Sequence, residues 1–370
     1  MPSPSCICTI SCVSVPPDLP TMLPLTEPFR HGAIAALAIA AGAAALTALL
    51  ILALKPLLLR YALARPNARS SHKIPTPQGG GIAIVAAWIA VTATALTVTG
   101  TWPAHPASNI LVVFAATVLM AGLGALDDIR TIAVVPRLLV QCAGVASVIA
   151  ILPADFHMTP FLPLWLERVL LVVAGIWFVN LVNFMDGLDW MTVAEMVPLA
   201  GGLVLLGALG ALPPYAVICA IALLGALLGF APFNRPVARL FLGDVGSLPI
   251  GLVVGWLLAL VADKGHLAAA LLLPLYYLMD ATLTLLRRLA NGERVWLAHR
   301  THFYQRATDN GFTVKQVVTQ VFVLNILLVA LAALCIRYNN PAAEIAALAA
   351  GATAVLLLLW RFSRRQPCAS

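Results

Sequence analysis

The sequence predicts an all-α polytopic integral membrane protein, a bundle of about eleven transmembrane helices with its N-terminus outside and its C-terminus in the cytoplasm. Three observations carry that reading. Of 370 residues, 61% are hydrophobic and 10% charged, far from the composition of soluble domains. The apolar stretches reach the roughly 20 residues a helix needs to cross the hydrocarbon core. The basic residues, finally, fall almost entirely between alternate stretches.

Taken in order, the apolar stretches lie at about 32–54, 82–100, 108–126, 137–153, 163–181, 192–211, 213–231, 245–262, 266–286, 318–336 and 342–361. In lipid every backbone group must be satisfied internally, and runs this long match helices rather than barrel strands. A single transmembrane domain over 31–362 is therefore expected, between an N-terminal extension, 1–30, expected to be poorly ordered and a short basic tail, 363–370. Residues 1–21 are rich in Pro and Ser and lack the basic start of a signal peptide; they read as an upstream-start artefact with Met22 the true start.

The net charge of +7 raises nucleic acid as a partner, and its distribution excludes it. Eighteen Lys and Arg lie in the segments 55–81, 127–137, 232–244, 287–316 and 361–370, and four, Arg30, Arg168, Lys264 and Arg337, lie on the other side. Basic loops stay cytoplasmic, so the basic side of the bundle faces the cytoplasm and the partner is the bilayer. Of seven cysteines, Cys142, Cys219 and Cys335 sit in apolar stretches, where a thiol behaves as a small hydrophobe.

Five polar clusters fall on the basic side. The first runs from His72 and Lys73 to Gly79, Gly80 and Gly81; prolines 75 and 77 block helix and the glycines expose amides suited to phosphate oxygens, with a stiff linker as the structural alternative. The second is Asp127-Asp128, where acids at a helix C-terminus oppose the macrodipole; an ion pair with Arg130 or Arg137 is the alternative. The third, Asn180 to Asp189, places Asn180, Asn183, Asp186 and Asp189 near one face if the helix continues. Such oxygen donors suit Mg²⁺ beside phosphates. The fourth, Gly243-Asp244-Val245-Gly246-Ser247, offers Asp244 as an ordinary N-cap or a metal ligand. In the fifth, His299-Arg300-Thr301-His302, no third ligand supports zinc, and the surrounding arginines suggest phosphate binding. Asp280 lies within the ninth stretch, with Arg287 or Arg288 as its expected partner.

Together these strings resemble the polyprenyl-phosphate N-acetylhexosamine-1-phosphate transferase family, from about Arg69 to Gln316. The motifs are the Pro-Thr-Pro-x-Gly-Gly-Gly loop at 75–81, the Asp-Asp pair, the Asn-x-x-Asn-x-x-Asp-Gly-x-Asp string, the Gly-Asp-x-Gly-Ser segment and the His-rich loop. The resemblance implies transfer of a sugar 1-phosphate from a UDP-N-acetylhexosamine to undecaprenyl phosphate, with release of UMP and use of Mg²⁺, Mn²⁺ substituting. Asn183 and Asp244 are assigned to the metal; His299, Arg300 and His302 to the UDP-sugar phosphates; His72, Lys73, Gly80, Gly81, Arg137 and Asn180 to substrate binding; and Asp127, Asp128, Asp186 and Asp189 to catalysis. A homodimer is a further expectation. Two departures stand out: Trp190 follows Asp189 where the family usually has Gly, and the last loop lacks the triple His of the phospho-N-acetylmuramoyl-pentapeptide transferases. The branch that initiates O-antigen and related polysaccharides is closer, with peptidoglycan synthesis second. A transporter is the rival class, disfavoured because its binding site would lie near the midplane, not at one boundary.

Overall fold

The computed structural model describes residues 27–64, 75–103, 110–153, 156–158, 162–294 and 299–366. Helix α1 covers Glu27–Tyr61, and the two-residue strands β1 (Leu63–Ala64) and β2 (Thr76–Pro77) pair antiparallel behind it. Then follow α2 (Gly80–Thr99), α3 (Ile110–Ile129), α4 (Val134–Ala150), α5 (Leu164–Met185), α6 (Met191–Ala208), α7 (Pro214–Phe230) and α8 (Asp244–Asp263). The chain ends with α9 (Leu267–Leu272), α10 (Leu275–Ala290), α11 (Phe303–Asp309), α12 (Val314–Tyr338) and α13 (Pro341–Phe362). The protein is an all-α polytopic membrane bundle, with eight helices among the described residues long and apolar enough to cross a membrane; α4 and α7 are shorter apolar helices.

Each expected stretch holds helix, with one correction. The ninth, 266–286, is two helices, because the chain breaks at Leu273-Pro274. Proline lacks the N–H that would bond back to the preceding turn and restricts the residue before it. The expected extension 1–30 lies outside the described residues up to 26, and 27–30 form the first turn of α1.

Helix α8 is the axis of the bundle. It is apolar on every side, the pattern of a helix buried all round, and α2, α3, α4, α5 and α9 pack on it. Small residues allow these backbones to approach, as is common between membrane helices. A Cβ on Gly81 of α2 would lie 2.1 Å from the Gly246 Cα. Helices α1 and α13, by contrast, are mostly exposed on the outside of the bundle, where an apolar surface meets lipid.

Alternation of helix directions brings the junctions α1–α2, α3–α4, α5–α6, α7–α8 and α10–α12 to one end. Long-range bonds confirm it: Gln78 Nε2 donates to the Asp128 carbonyl (2.9 Å), and the Tyr304 hydroxyl donates to the Phe184 carbonyl (3.0 Å). The C-terminal segment joins them, since Gln366 N–H donates to the Asn310 carbonyl.

Candidate functional site

Helix α8 begins in a carboxylate supplied by another helix. Asp128, in the last turn of α3, accepts the backbone N–H of Asp244 on Oδ1 (3.0 Å) and that of Val245 on Oδ2 (3.1 Å). A helix start carries orphan N–H groups and a partial positive charge, and an acid there satisfies both. This corrects two expectations. Asp244 is the first helical residue, not the cap; the N-cap position is Gly243, which has no side chain. Asp128, costly at the C-terminus of its own helix, is favourable at the N-terminus of its neighbour. The close approach is possible because α3 has Gly124 at the contact, where a Cβ would lie 2.2 Å from the Asp244 carbonyl oxygen.

The neighbouring Asp127 forms the ion pair weighed for this cluster, and Arg137 is the partner: Nη1 to Oδ2 is 3.1 Å, while Oδ1 accepts the Ile132 N–H at 2.7 Å. Arg137, expected at a substrate phosphate, is thus turned to Asp127.

Helix α5 delivers the third cluster, and it stops at Met185 rather than running through Asp189. The four expected residues therefore do not share a face. Asn180 is buried and exchanges hydrogen bonds with Gln141 of α4, donating to Oε1 at 2.6 Å; this places it at a helix contact rather than at a substrate. One turn later Asn183 donates to Asp244 Oδ1 (2.7 Å) and Ser247 Oγ (2.9 Å). The two residues expected to hold a metal are therefore in direct contact across α5 and α8.

Past the helix end, Asp186 accepts from the Thr192 hydroxyl of α6 at 2.5 Å, and Asp189 Oδ2 accepts the Ala238 N–H at 3.0 Å. Burial pushes the Asp186 carboxyl up to about 6; the Thr192 bond opposes this, and the negative charges of Asp128 and Asp189 add to it. Gly187 lies under Tyr304, whose hydroxyl a Cβ would meet at 2.2 Å. Trp190 occupies the left-handed region, with φ of 62°, a conformation that costs a residue with a Cβ roughly 1–2 kcal/mol. Its indole N–H donates to the Ala231 carbonyl (2.6 Å) and its backbone N–H to Asn234 Oδ1 (2.8 Å), so the 231–243 segment holds it there.

The His-rich loop is fastened by Asp280, which is fully buried and accepts from Tyr276 Oη, Thr284 Oγ1, His302 Nδ1 and the N–H groups of Phe303 and Tyr304 at 3.0 to 3.3 Å. It does not pair with its expected partners; Arg288 bonds Glu293 at 2.7 Å, and Arg287 reaches toward the Thr301 carbonyl. Arg300 faces Asp309 at 3.4 Å. His302 is 2% exposed and stacks on the half-buried His299, so of the two imidazoles His299 is the more accessible.

The glycine loop is also corrected. Gly80 and Gly81 are buried, and their N–H groups donate to the carbonyls of Phe241 (2.9 Å) and Leu242 (3.0 Å). These amides join the start of α2 to the segment that precedes α8 and are not offered to phosphate. His72 and Lys73 lie outside the described residues.

A family model described as glycosyl transferase family 4 matches residues 110–262. A probable undecaprenyl-phosphate N-acetylglucosaminyl 1-phosphate transferase of Bacillus subtilis is 27% identical over 75% of this chain and 80% of its own length. A decaprenyl-phosphate N-acetylglucosaminephosphotransferase of Mycobacterium leprae is 25% identical over 76% of this chain and 78% of its own. A phospho-N-acetylmuramoyl-pentapeptide-transferase of Desulfotalea psychrophila is 28% identical over 78% and 89% respectively. Over residues 110–262 the chain is similar to glycosyl transferase family 4.

The stretch that matches the family model runs from α3 through α8 and contains Asp127, Asp128, Asn183, Asp186, Asp189 and Asp244. In this transferase the His-rich loop lies beyond it, and Tyr304 joins the two by its bond to Phe184. Sequence reasoning assigned no role to Gln78, Thr192, Ser247, Asn234 or Tyr304. Gln78 and Ser247 lie inside two of the motifs and Tyr304 adjoins a third, which was their signal; Thr192 and Asn234 carried none.

Proposed function

We propose that the chain transfers an N-acetylhexosamine 1-phosphate from a UDP-sugar to undecaprenyl phosphate, releasing UMP, on the cytoplasmic face of a bacterial inner membrane. An oxygen of the lipid phosphate bonds to the sugar-bearing phosphorus, the pyrophosphate bridge breaks, and its electron pair leaves with UMP. The observation that carries the reading is the Asn183–Asp244 contact, at 2.7 Å, inside an acidic cluster at one end of a membrane bundle. The relatives named for undecaprenyl and decaprenyl phosphate support the lipid acceptor, and the apolar helix surfaces let its tail stay in lipid.

The residues fit a divalent cation. Asp244 and Ser247 bring carboxylate and hydroxyl oxygens together around the Asn183 amide N–H group, and the proximity of Asp186 to Asp128 and Asp189 leaves negative charge crowded. Hard oxygen ligands and excess negative charge suit Mg²⁺. Asn183 and Asp244 would hold it, and it would neutralise charge on the pyrophosphate. The chain's own residues do the positioning: Asp128 sets where α8 begins, and Asp127 with Arg137 ties the end of α3 to the start of α4. No general base is required of Asp127, because a phosphate monoester has its second pKa near 6 and is largely dianionic at neutral pH.

The loop His299-Arg300-Thr301-His302 favours initiation of a lipid-linked surface polysaccharide such as O-antigen. The relative of Desulfotalea psychrophila, 28% identical, supports phospho-N-acetylmuramoyl-pentapeptide transfer as a second reading. Purified protein with undecaprenyl phosphate, Mg²⁺ and a panel of labelled UDP-sugars decides between them. UMP release with UDP-N-acetylglucosamine or a related aminosugar is expected; release with UDP-N-acetylmuramoyl-pentapeptide alone selects the second reading, and release with none of them rejects both.

A further inference from the structure

Asp280 belongs to none of the five motif clusters, yet it organises the fifth. It is fully buried in α10, nearly three turns before that helix ends, and every partner it has among the described residues is a donor. Two of these are the first backbone N–H groups of α11, at 3.0 and 3.1 Å, and they fix where that short helix starts. A third is His302 Nδ1 at 3.3 Å. A carboxylate flanked by backbone donors accepts only, so the imidazole must carry its hydrogen on Nδ1.

His302 is itself 2% exposed, too enclosed to be the main contact with a nucleotide. Its ring does something else. The His299 ring lies on it with centroids 4.8 Å apart and planes 27° from parallel, and the Tyr304 ring lies tilted beside it at 5.8 Å. The half-buried His299, whose Nδ1 shares a 2.9 Å hydrogen bond with the Thr301 hydroxyl, thus has its plane set against a ring that is in turn held by Asp280. Pairs of this kind, in which a carboxylate fixes the tautomer and plane of an imidazole, are a general way of orienting a ligand-facing ring.

We propose that Asp280 and His302 are positioning residues for UDP-sugar binding, acting through the stack that orients His299. The inference rests on the reading that the His-rich loop binds the UDP-sugar phosphates. Three consequences follow from the geometry. Loss of either anchor should weaken UDP-sugar binding without weakening the lipid acceptor. The two losses should not add, because both act through one ring. An aromatic at 302 that keeps the stack should restore much of what alanine removes.

The test uses the full chain in lipid nanodiscs, with UDP-N-acetylglucosamine or whichever UDP-sugar proves active, and undecaprenyl phosphate. His299→Ala, Asp280→Asn and His302→Ala are each expected to raise KM for the UDP-sugar by about 10-fold to 100-fold, the usual effect of an outer-shell partner, with KM for undecaprenyl phosphate unchanged. The double variant Asp280→Asn/His302→Ala should match the worse single variant, and His302→Phe should recover most of the loss seen in His302→Ala. If His299→Ala raises KM while Asp280→Asn and His302→Ala do not, the inference is overturned and the loop's role stands. If His299→Ala and Arg300→Ala both leave KM unchanged, the reading of the loop fails first. Multiplicative losses in the double variant, or no rescue by Phe, also overturn the inference. Should Asp280→Asn fail to fold, ¹⁵N spectra of His-labelled wild type decide, with His302 assigned by its absence in His302→Phe: a protonated Nδ1 is expected, and a bare Nδ1 overturns the anchor.

Discussion

Asp128 of α3 accepts the backbone N–H of Asp244, the first residue of α8, at 3.0 Å. An acid drawn from the end of one membrane helix thereby sets the beginning of another, and the residue it positions is the proposed metal ligand.

Replacing Asp128 should therefore cost stability and turnover together. Asp128→Ala leaves two helix-start N–H groups without their acceptor, a loss on the order of 1–3 kcal/mol by analogy with caps and charge-assisted bonds. Asp128→Asn keeps one acceptor and should fall between. Thermal unfolding in detergent, read beside UMP release, checks this; a wild-type melting temperature in Asp128→Ala would reject the cap.

Metal removal should separate chemistry from folding. EDTA is expected to abolish UMP release, with Mg²⁺ or Mn²⁺ restoring it. Asp244→Asn should lower kcat by a factor on the order of 10²–10³, the usual loss of a main electrostatic stabiliser. Millimolar Mg²⁺ should raise the melting temperature of the wild type, since a ligand that binds only the native state stabilises it, and should leave that of Asp244→Asn unmoved. Equal stabilisation of both proteins would remove Asp244 from the metal.

Asp186 gives a pH dependence with a definite sign. Its folded-state pKa is raised to about 6 from 3.8, so the folded protein holds this proton more tightly than the unfolded chain. The group favours folding at low pH, and that contribution declines as pH rises from about 4 through about 6. In metal-free buffer at about pH 7.5 Asp186→Asn, which carries no charge to bury, should melt higher than the wild type, with the gap narrowing toward about pH 5. The variant should nevertheless turn over more slowly. A gap that widens on acidification would contradict the burial of this carboxylate.

The helix contacts give a paired test. Gly81→Ala places a methyl 2.1 Å from the Gly246 Cα, a backbone atom that cannot turn aside, whereas Gly122→Ala meets nothing within 4 Å. Gly81→Ala is expected to abolish recovery of monodisperse protein and Gly122→Ala to leave yield and turnover unchanged. Normal behaviour of Gly81→Ala would mean that α2 and α8 stand further apart.

Much of this was legible in the sequence, for identifiable reasons. Apolar runs of helix-spanning length are a local signal, and alternation then puts Asp127, Asn183, Asp244 and His299 at one end without knowledge of packing. Pro274 was a readable signal for the break before α10, hidden inside a run apolar enough to pass as one span. What could not be read were relationships settled by distant residues. Helix α5 stops at Met185 where Gly187 lies against the hydroxyl of Tyr304. The amides of Gly80 and Gly81 looked open to phosphate because the carbonyls that take them, on Phe241 and Leu242, are far along the chain. Trp190 looked like a stiffer substitute for glycine; it occupies the left-handed conformation all the same, held by Ala231 and Asn234.

The bond from the Tyr304 hydroxyl to the Phe184 carbonyl joins residues 120 apart in the chain. Synthesis proceeds from the N-terminus, so the acidic residues enter the membrane long before the loop that covers them has been made. A nascent chain halted after α8 would have its carboxylates in place and no His-rich loop beside them. Such a fragment would lack the loop proposed to hold the UDP-sugar, and is expected to release no UMP.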